Sequence, residues 1–194
     1  MRAVPSTIAA KLTAAAELFS ERGLDQTKME DVAQATGIPK ATLYYYFSGK
    51  EQILAYLLAD GLMAIADAVA IALEVEGSAA FRLGCVIDAQ LRVMNDYPAV
   101  ARAVLSEQGR AARIPEIAAA LDAAYYAPVA ALLGDGLADG SLSTEGFGAE
   151  TVMAIFGAVS FAGLHYLLIG DVIPDDVAPR VTRLLMQGLN QEVG

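Results

Sequence analysis

The chain has 194 residues, of which 56% are hydrophobic, so much of it must be buried within the protomer or against a partner. Its only cysteine, Cys85, excludes an intramolecular disulfide and fits a reducing cytoplasm. The charged N-terminal region has no apolar core typical of a signal peptide. The net charge of −10 excludes a protein that is basic throughout, but residues 1–60 carry only −1 and all four lysines lie in the first 50 residues.

The first predicted helix runs from about Ser6 to Arg22. Its apolar residues, which include Leu12 and Phe19, recur at helical spacing. Gly23 is a typical residue to end it.

Two short helices around a turn are predicted next, between Thr27 and Lys50. Thr27 and Glu30 have the spacing of a capping box at the first helix start. Gly37 provides the turn, because glycine enters the left-handed region at low cost. Pro39 suits the first position of the second helix.

Leu43 and Phe47 are four residues apart, so they predict the inner face of that second helix. Tyr46 is expected to pack beside them. Ser48 and Glu51 have the spacing of another capping box, which would begin the next helix. The pattern of two helices and a glycine turn, over about residues 28–47, favours a helix-turn-helix that docks on DNA.

Lysines stand at three successive predicted helix starts, where the helix dipole disfavours cations. A helix N-terminus beside a lysine is well suited to phosphate, although ordinary solvated lysines are the alternative. The outward tyrosine hydroxyls can contact phosphate and their ring edges can contact thymine methyls. The candidate DNA-contacting residues are Thr27, Lys28, Lys40, Ala41, Thr42, Tyr44, Tyr45 and Lys50.

On these residues the chain resembles the TetR family of bacterial transcriptional repressors. The resemblance lies in IAAKLTAAAELFSERG (Ile8–Gly23) and MEDVAQATGIPKATLYYYFSGKEQIL (Met29–Leu54). Pro39 departs from the family, which often has a serine or threonine there. The resemblance implies an all-α fold with a three-helix DNA-binding domain at 5–49. It also implies a regulatory domain of about six helices at 50–194 that binds a small effector.

Further helices are predicted along the rest of the chain, and no stretch alternates as a strand does. A polar break is expected at Gly109–Pro115, a kink at Pro128 and a loop at Ala138–Thr144. The predicted helices cover about Lys50–Glu74, Ala79–Asn95, Ala99–Gln108, Pro115–Ala138, Glu145–Ile169 and Asp176–Asn190.

The last two helices, about 145–169 and 176–190, are apolar on more than a narrow stripe, which favours dimerisation. The resemblance implies the same, because in the family such helices form a four-helix bundle across a two-fold axis. Val152–Gly170 lacks formal charge and is near membrane-spanning length. The absence of flanking basic residues favours a buried dimer helix over a membrane span.

A mixed set of apolar and polar residues lies on the helices where the resemblance implies a ligand pocket. Plain core packing is the alternative for each, and His165 fits either a buried imidazole near the dimer interface or a ligand contact. Asp88 and Arg92 are expected to pair on the surface. The candidates are Cys85, Gln90, Met94, Tyr97, Tyr125, Tyr126, Phe161 and His165.

The sequence therefore predicts a cytoplasmic, homodimeric regulator that binds a near-palindromic DNA operator and is released by a small, largely apolar effector. No zinc spacing, P-loop or nucleophile arrangement is found, so an enzyme, a cofactor and a metal are not expected. The alternatives are a helical dimeric binding protein without a ligand switch and a membrane-associated helical protein.

Overall fold

The structure is a computed structural model that describes residues 3–106, 115–143, 148–170 and 172–190. Every regular element in these ranges is helical, which confirms the predicted all-α class. The helices are α1 (Ser6–Arg22), α2 (Met29–Thr36), α3 (Lys40–Tyr46), α4 (Lys50–Leu73), α5 (Ala79–Asp96), α6 (Pro98–Ser106), α7 (Pro115–Leu121), α8 (Ala127–Ala138), α9 (Ala149–Ile169) and α10 (Val177–Asn190).

The first of two compact units comprises Met1–Gly61 and Tyr97–Ala118. Helices α1, α2 and α3 and the start of α4 surround its core, and α6 packs against α1. The core residues include Leu12, Phe19 and Leu43, which are fully buried. The predicted domain boundary at residues 49–50 coincides with the start of α4 and stays a prediction.

The second unit comprises Leu62–Asp96 and Ala119–Gly194. Helix α5 lies at its centre and packs against α8, α9 and α10. Hydrogen bonds to other segments hold α5 at both of its ends. The Asp139 carboxylate accepts a bond from the backbone N–H of Ala79 at 2.8 Å. The Asn95 amide exchanges two bonds with the main chain of Ile173, at 2.8 and 3.0 Å.

The helix predicted for Pro115–Ala138 is interrupted by a π-helical turn at Asp122–Tyr126. The Ala127 N–H bonds to the Asp122 carbonyl, one residue further back than in an α-helix. Pro128, which follows, has no N–H and its ring crowds the carbonyl four residues earlier. The wider turn relieves that crowding, so the irregularity lies just before Pro128.

Several predicted boundaries fall outside the described residues. These are the end of the helix predicted to reach Gln108, the polar break after it up to residue 114, Thr144 and the helix start at Glu145. In the described part, α9 begins at Ala149, and Gly148 is its N-cap.

Three helical stretches are long and apolar enough to cross a membrane by length and composition: Lys50–Leu73, Ile117–Ala138 and Ala149–Ile169. The last of these has large apolar side chains on both faces. Val159 and Leu167 pack inward, whereas Phe161 and Leu168 are exposed on the single chain. An exposed apolar face of this kind is typical of an interaction surface.

Candidate functional site

The turn between α2 and α3 is fixed by backbone conformation and by one hydroxyl group. Gly37 has φ +63°, in the left-handed region that glycine adopts at low cost. The Thr36 hydroxyl donates to the Val32 carbonyl at 2.7 Å and accepts from the Ile38 N–H at 3.3 Å. Ile38 is buried in the core. These contacts confirm the predicted glycine turn and hold α3 against the rest of the first unit.

Helix α3 separates an inner from an outer face, as the sequence predicts. Leu43 is fully buried, Phe47 is buried just past the helix end and Tyr46 is half-buried. Tyr44 is 50% exposed and Tyr45 is 58% exposed. Two large aromatic rings therefore face solvent from a helix only seven residues long.

Lys40 stands at the start of the outer face and is paired with Glu30 of α2. Its ammonium nitrogen also lies 5.7 Å from the centre of the Tyr44 ring. The hydrogen bond with Glu30 raises the pKa of Lys40, and the same bond lowers the pKa of Glu30. Lys40 is therefore a cation that is paired with Glu30 and lies beside the Tyr44 ring.

The other candidates on this surface divide into exposed and interior residues. Lys28 and Ala41 are exposed and Thr42 is half-buried. Thr27 is fully buried, and its hydroxyl donates to the Gly23 carbonyl at 2.8 Å. The predicted capping box is wrong by one residue, because the Asp31 carboxylate accepts from the Lys28 N–H at 2.8 Å. The Thr27 side chain therefore belongs to the core and not to the outer surface.

Lys50 also has a different position from the one predicted. Its ammonium group donates to the carbonyls of Leu24, Asp25 and Thr27, at 2.7, 3.2 and 2.9 Å. A lysine ammonium has three N–H donors, and all three are used. Lys50 therefore ties the α1–α2 loop to the start of α4, and this geometry does not support the predicted phosphate contact.

The second predicted capping box, between Ser48 and Glu51, is replaced by a different bond. The Ser48 N–H donates to the side-chain oxygen of Gln52 at 2.6 Å, and Glu51 does not take that place. Because α4 begins at Lys50, Gln52 is its third residue and Ser48 lies two positions before it, so the pair does not have the three-residue spacing of a capping box.

The eight ligand candidates do not form one cluster. Gln90, Met94 and Tyr125 are buried, and Cys85 and Tyr126 are half-buried, all in the second unit. Tyr97 is exposed and belongs to the first unit. Phe161 and His165 are exposed on the single chain. His165 thus lies on an outward part of α9 in the single chain, and its burial near a dimer interface or its contact with a ligand stays a prediction.

Gln90 and Tyr125 meet around Phe156 in the interior of the second unit. The Gln90 amide nitrogen donates to the Phe156 carbonyl at 3.3 Å and to the Ser160 hydroxyl at 2.9 Å. The rings of Tyr125 and Tyr126 meet the Phe156 ring edge-on, with centroids 4.9 and 5.6 Å apart. Burial raises the pKa of the Tyr125 hydroxyl well above its ordinary value.

Sequence reasoning missed three residues that shape the candidate DNA surface. Glu30 binds Lys40 from ten positions away, a separation that no helical period reveals. Thr36 fixes the turn through its hydroxyl, and threonine next to a glycine turn is a signal for such a local bond. Asp31 caps α2, and its acidic side chain three positions after Lys28 carried that signal.

Comparison with known proteins matches the first unit to one family. Residues 12–57 match the family model described as bacterial regulatory proteins, tetR family. A 36-residue segment is 47% identical to the biofilm operon icaADBC HTH-type negative transcriptional regulator IcaR of Staphylococcus epidermidis. That segment is 19% of this chain and 20% of the relative, so the match spans about a fifth of each protein.

Solved structures match the fold along nearly the whole chain. The TetR family transcriptional regulator PfmR from Thermus thermophilus is 27% identical, with a TM-score of 0.77 over 93% of this chain and 99% of that one. The transcriptional regulator FadR from Bacillus subtilis in complex with stearoyl-CoA is 19% identical, with a TM-score of 0.73 over 94% of this chain and 100% of that one. At 19% identity the second match concerns the fold alone.

Proposed function

We propose that this chain, which belongs to the TetR family through its N-terminal helix-turn-helix, is a sequence-specific DNA-binding transcriptional regulator. The outer face of α3 carries this proposal. Tyr44 and Tyr45 face solvent there beside Lys40, while Leu43 anchors the helix from behind. Exposed aromatic rings and a cation on a short, firmly held helix suit the major groove, where base edges and phosphates lie together.

The predicted contacts divide by position. Lys40, Tyr44 and Tyr45 form the reading surface, with Ala41 and Thr42 beside them. Lys28, which is exposed at the start of α2, is the candidate for a contact with a backbone phosphate. The acidic remainder of the chain repels DNA, so it favours docking through this surface alone.

The regulator acts as a homodimer, and α9 and α10 form its interface. This proposal is supported by exposed apolar side chains on both helices, among which Phe161 is 57% and Leu184 is 69% exposed. A two-fold pair of such faces would bury them. Two α3 helices about 34 Å apart would then read successive major grooves of a near-palindromic operator.

The second unit would bind a small, largely apolar effector that releases the operator, so the chain would be a ligand-responsive cytoplasmic repressor. Support comes from the buried polar side chains of Gln90 and Tyr125 among aromatic rings. The fold neighbour from Bacillus subtilis is in complex with stearoyl-CoA, and IcaR is a negative regulator. An effector that binds only one arrangement of the dimer would shift it away from DNA.

Selection from a random duplex library followed by affinity measurement tests the DNA role. The selected sequence should be a near-palindrome. Lys40→Ala and Tyr45→Ala should each weaken its binding about tenfold, because each removes a contact to a base or phosphate. Arg92→Ala, at an exposed arginine of the second unit, is the matched control and should change nothing. Failure to enrich any sequence would contradict the proposal.

A further inference from the structure

Three buried side-chain polar atoms of the second unit have no hydrogen-bond partner among the described residues. One is Nε of Arg82, whose guanidinium pairs with Asp135 through another nitrogen. The other two are the side-chain oxygen of Gln90 and the hydroxyl of Tyr125, which both belong to uncharged residues. Gln90 is 1% exposed and Tyr125 is fully buried. Buried polar groups are almost always hydrogen-bonded, so two orphans in one region of an otherwise apolar interior need an explanation.

The neighbours of Gln90 establish which end of its amide is the orphan. One end faces the Phe156 carbonyl at 3.3 Å and the Ser160 hydroxyl at 2.9 Å. A carbonyl oxygen only accepts, so the group that faces it must be the NH₂. The other end is therefore the amide oxygen, which is an acceptor in need of a donor.

The two orphans surround the same residue. Gln90 contacts the Phe156 main chain, and the Tyr125 ring lies edge-on to the Phe156 ring at 4.9 Å. The Tyr126 ring covers Phe156 from a second direction at 5.6 Å. Both orphaned atoms therefore belong to residues that contact Phe156, in a part of the interior lined by aromatic rings.

The chemistry of this place favours an uncharged group. In the described part of the chain, neither Gln90 nor Tyr125 bonds to a charged side chain. Burial also keeps Tyr125 protonated, since it raises the pKa of the phenol. A carboxylate has no donor for the Gln90 oxygen, and its burial without a cation is unfavourable.

We infer that the effector of this chain is an uncharged, largely apolar molecule with a hydroxyl group that donates to the Gln90 oxygen and accepts from the Tyr125 hydroxyl. A hydroxyl is the smallest group that both donates and accepts. This inference rests on the proposed effector role of the second unit and assigns its ligand to the alcohol class.

Matched pairs of alcohols and ethers test it with the full chain. The probes are 1-butanol, 1-hexanol and 1-octanol, each paired with a methyl ether of the same number of heavy atoms, and octanoate as the charged analogue. Binding is measured by calorimetry. At one length or more, the alcohol should bind about tenfold more tightly than its ether, which lacks the donor for Gln90. Octanoate should bind more weakly than octanol.

Two variants locate the effect. Tyr125→Phe removes only the hydroxyl, and Gln90→Met removes the amide with little change in volume. Gln90→Met should reduce the alcohol preference to about a quarter or less while ether affinity stays the same. Tyr125→Phe should weaken alcohol and ether alike and leave the preference unchanged, because both oxygens accept from the Tyr125 hydroxyl. Tyr125→Phe should not lower the melting temperature of the free protein, because the hydroxyl that it deletes has no partner. A fall of several degrees would overturn the inference.

DNA binding is measured separately on the same proteins without probe. If DNA binding is present but alcohols and ethers bind alike, or neither binds at any length, the alcohol assignment is overturned and the regulator proposal stands. If alcohols are preferred and no DNA sequence is bound, the regulator proposal is overturned and the alcohol assignment stands. A crystal structure from saturating octanol that shows only a water between Gln90 and Tyr125 would also overturn the assignment.

Discussion

The ammonium group of Lys50 donates to the backbone carbonyl of Thr27 at 2.9 Å, across 23 positions of sequence. With its bonds to Leu24 and Asp25, it closes the α1–α2 loop onto the start of α4. Lys50, the first residue of α4, thereby positions Thr27, which lies two residues before the start of α2. A lysine in a DNA-binding region is here a structural residue.

Replacement of Lys50 by methionine should destabilise the first unit by about 1–2 kcal/mol, because three carbonyls lose a charged donor. Thermal unfolding should show a fall of a few degrees. Lys28→Met is the matched control, since Lys28 is exposed at the start of α2. It should leave the melting temperature unchanged and reduce the salt dependence of DNA binding by about one unit of slope. A reduced salt dependence with an unchanged melting temperature for Lys50→Met, and a fall in melting temperature for Lys28→Met, would support a phosphate role for Lys50.

Glu30→Gln should increase affinity for DNA of any sequence by about two- to fivefold, because it removes the carboxylate that competes with phosphate for Lys40. Fluorescence anisotropy with a non-operator duplex would measure the change. The Lys40→Ala background provides the control, and there the Glu30 substitution should have a smaller effect. An equal gain with and without Lys40 would show that Glu30 acts only through its own charge.

Asp139 should make stability depend on acid pH. Hydrogen bonds from Ser141 and from the Ala79 N–H hold the pKa of this carboxyl below its usual 3.8 in the folded chain. The stabilisation is fully present above about pH 5 and is lost as the pH falls below 3.8 through the lowered folded value. The difference in melting temperature between the native chain and Asp139→Asn should therefore be constant at neutral pH and shrink towards pH 3.

Leu184→Asp should convert a dimer to a monomer, because it buries a charge in the proposed interface of α9 and α10. Analytical ultracentrifugation at micromolar concentration would measure the mass. Ile71→Asp, at an equally exposed apolar residue on α4, is the control and should remain dimeric. Dissociation by Ile71→Asp alone would place the interface elsewhere.

Gly163→Ala should destabilise the second unit by about 1 kcal/mol despite the better helix propensity of alanine. An added methyl group would lie within 3.0 Å of side-chain atoms of Met94, Leu91 and Ile173. Gly134→Ala, where nothing lies within 4 Å, should stabilise by about 0.5–1 kcal/mol. Chemical denaturation of both variants would show opposite signs. A gain for Gly163→Ala would mean that α5 and α9 pack loosely.

Sequence periodicity was sufficient to predict side-chain burial and pairing within a single helix. The spacing of Leu43 and Phe47 gave the buried side of the recognition segment, and the same spacing left Tyr44 and Tyr45 outside. The Asp88–Arg92 pair followed from its four-residue separation and is confirmed at 2.6 Å. Such contacts depend only on helix geometry, which the sequence determines locally.

Contacts between distant segments could not be predicted in this way. The partners of Lys50 and Lys40 lie many positions away and depend on how helices pack. The prediction that Thr27 caps α2 is wrong because the helix begins one residue later, which leaves the Thr27 side chain in the core. For Phe161 and His165, overall apolarity did not separate an inward face from one that a partner would cover. The orphaned oxygen of Gln90 likewise required the positions of Phe156 and Ser160.

The Asn95 amide, which exchanges two bonds with Ile173, joins segments 78 residues apart. During synthesis, these two hydrogen bonds cannot form until the chain beyond α9 has left the ribosome. The C-terminal end of α5 is therefore secured only once a segment 78 residues further along the chain has emerged. The last helix begins shortly after Ile173. Its apolar face therefore emerges after α9, the helix with which it shares the proposed interface, so the complete apolar surface exists only once both helices have been made.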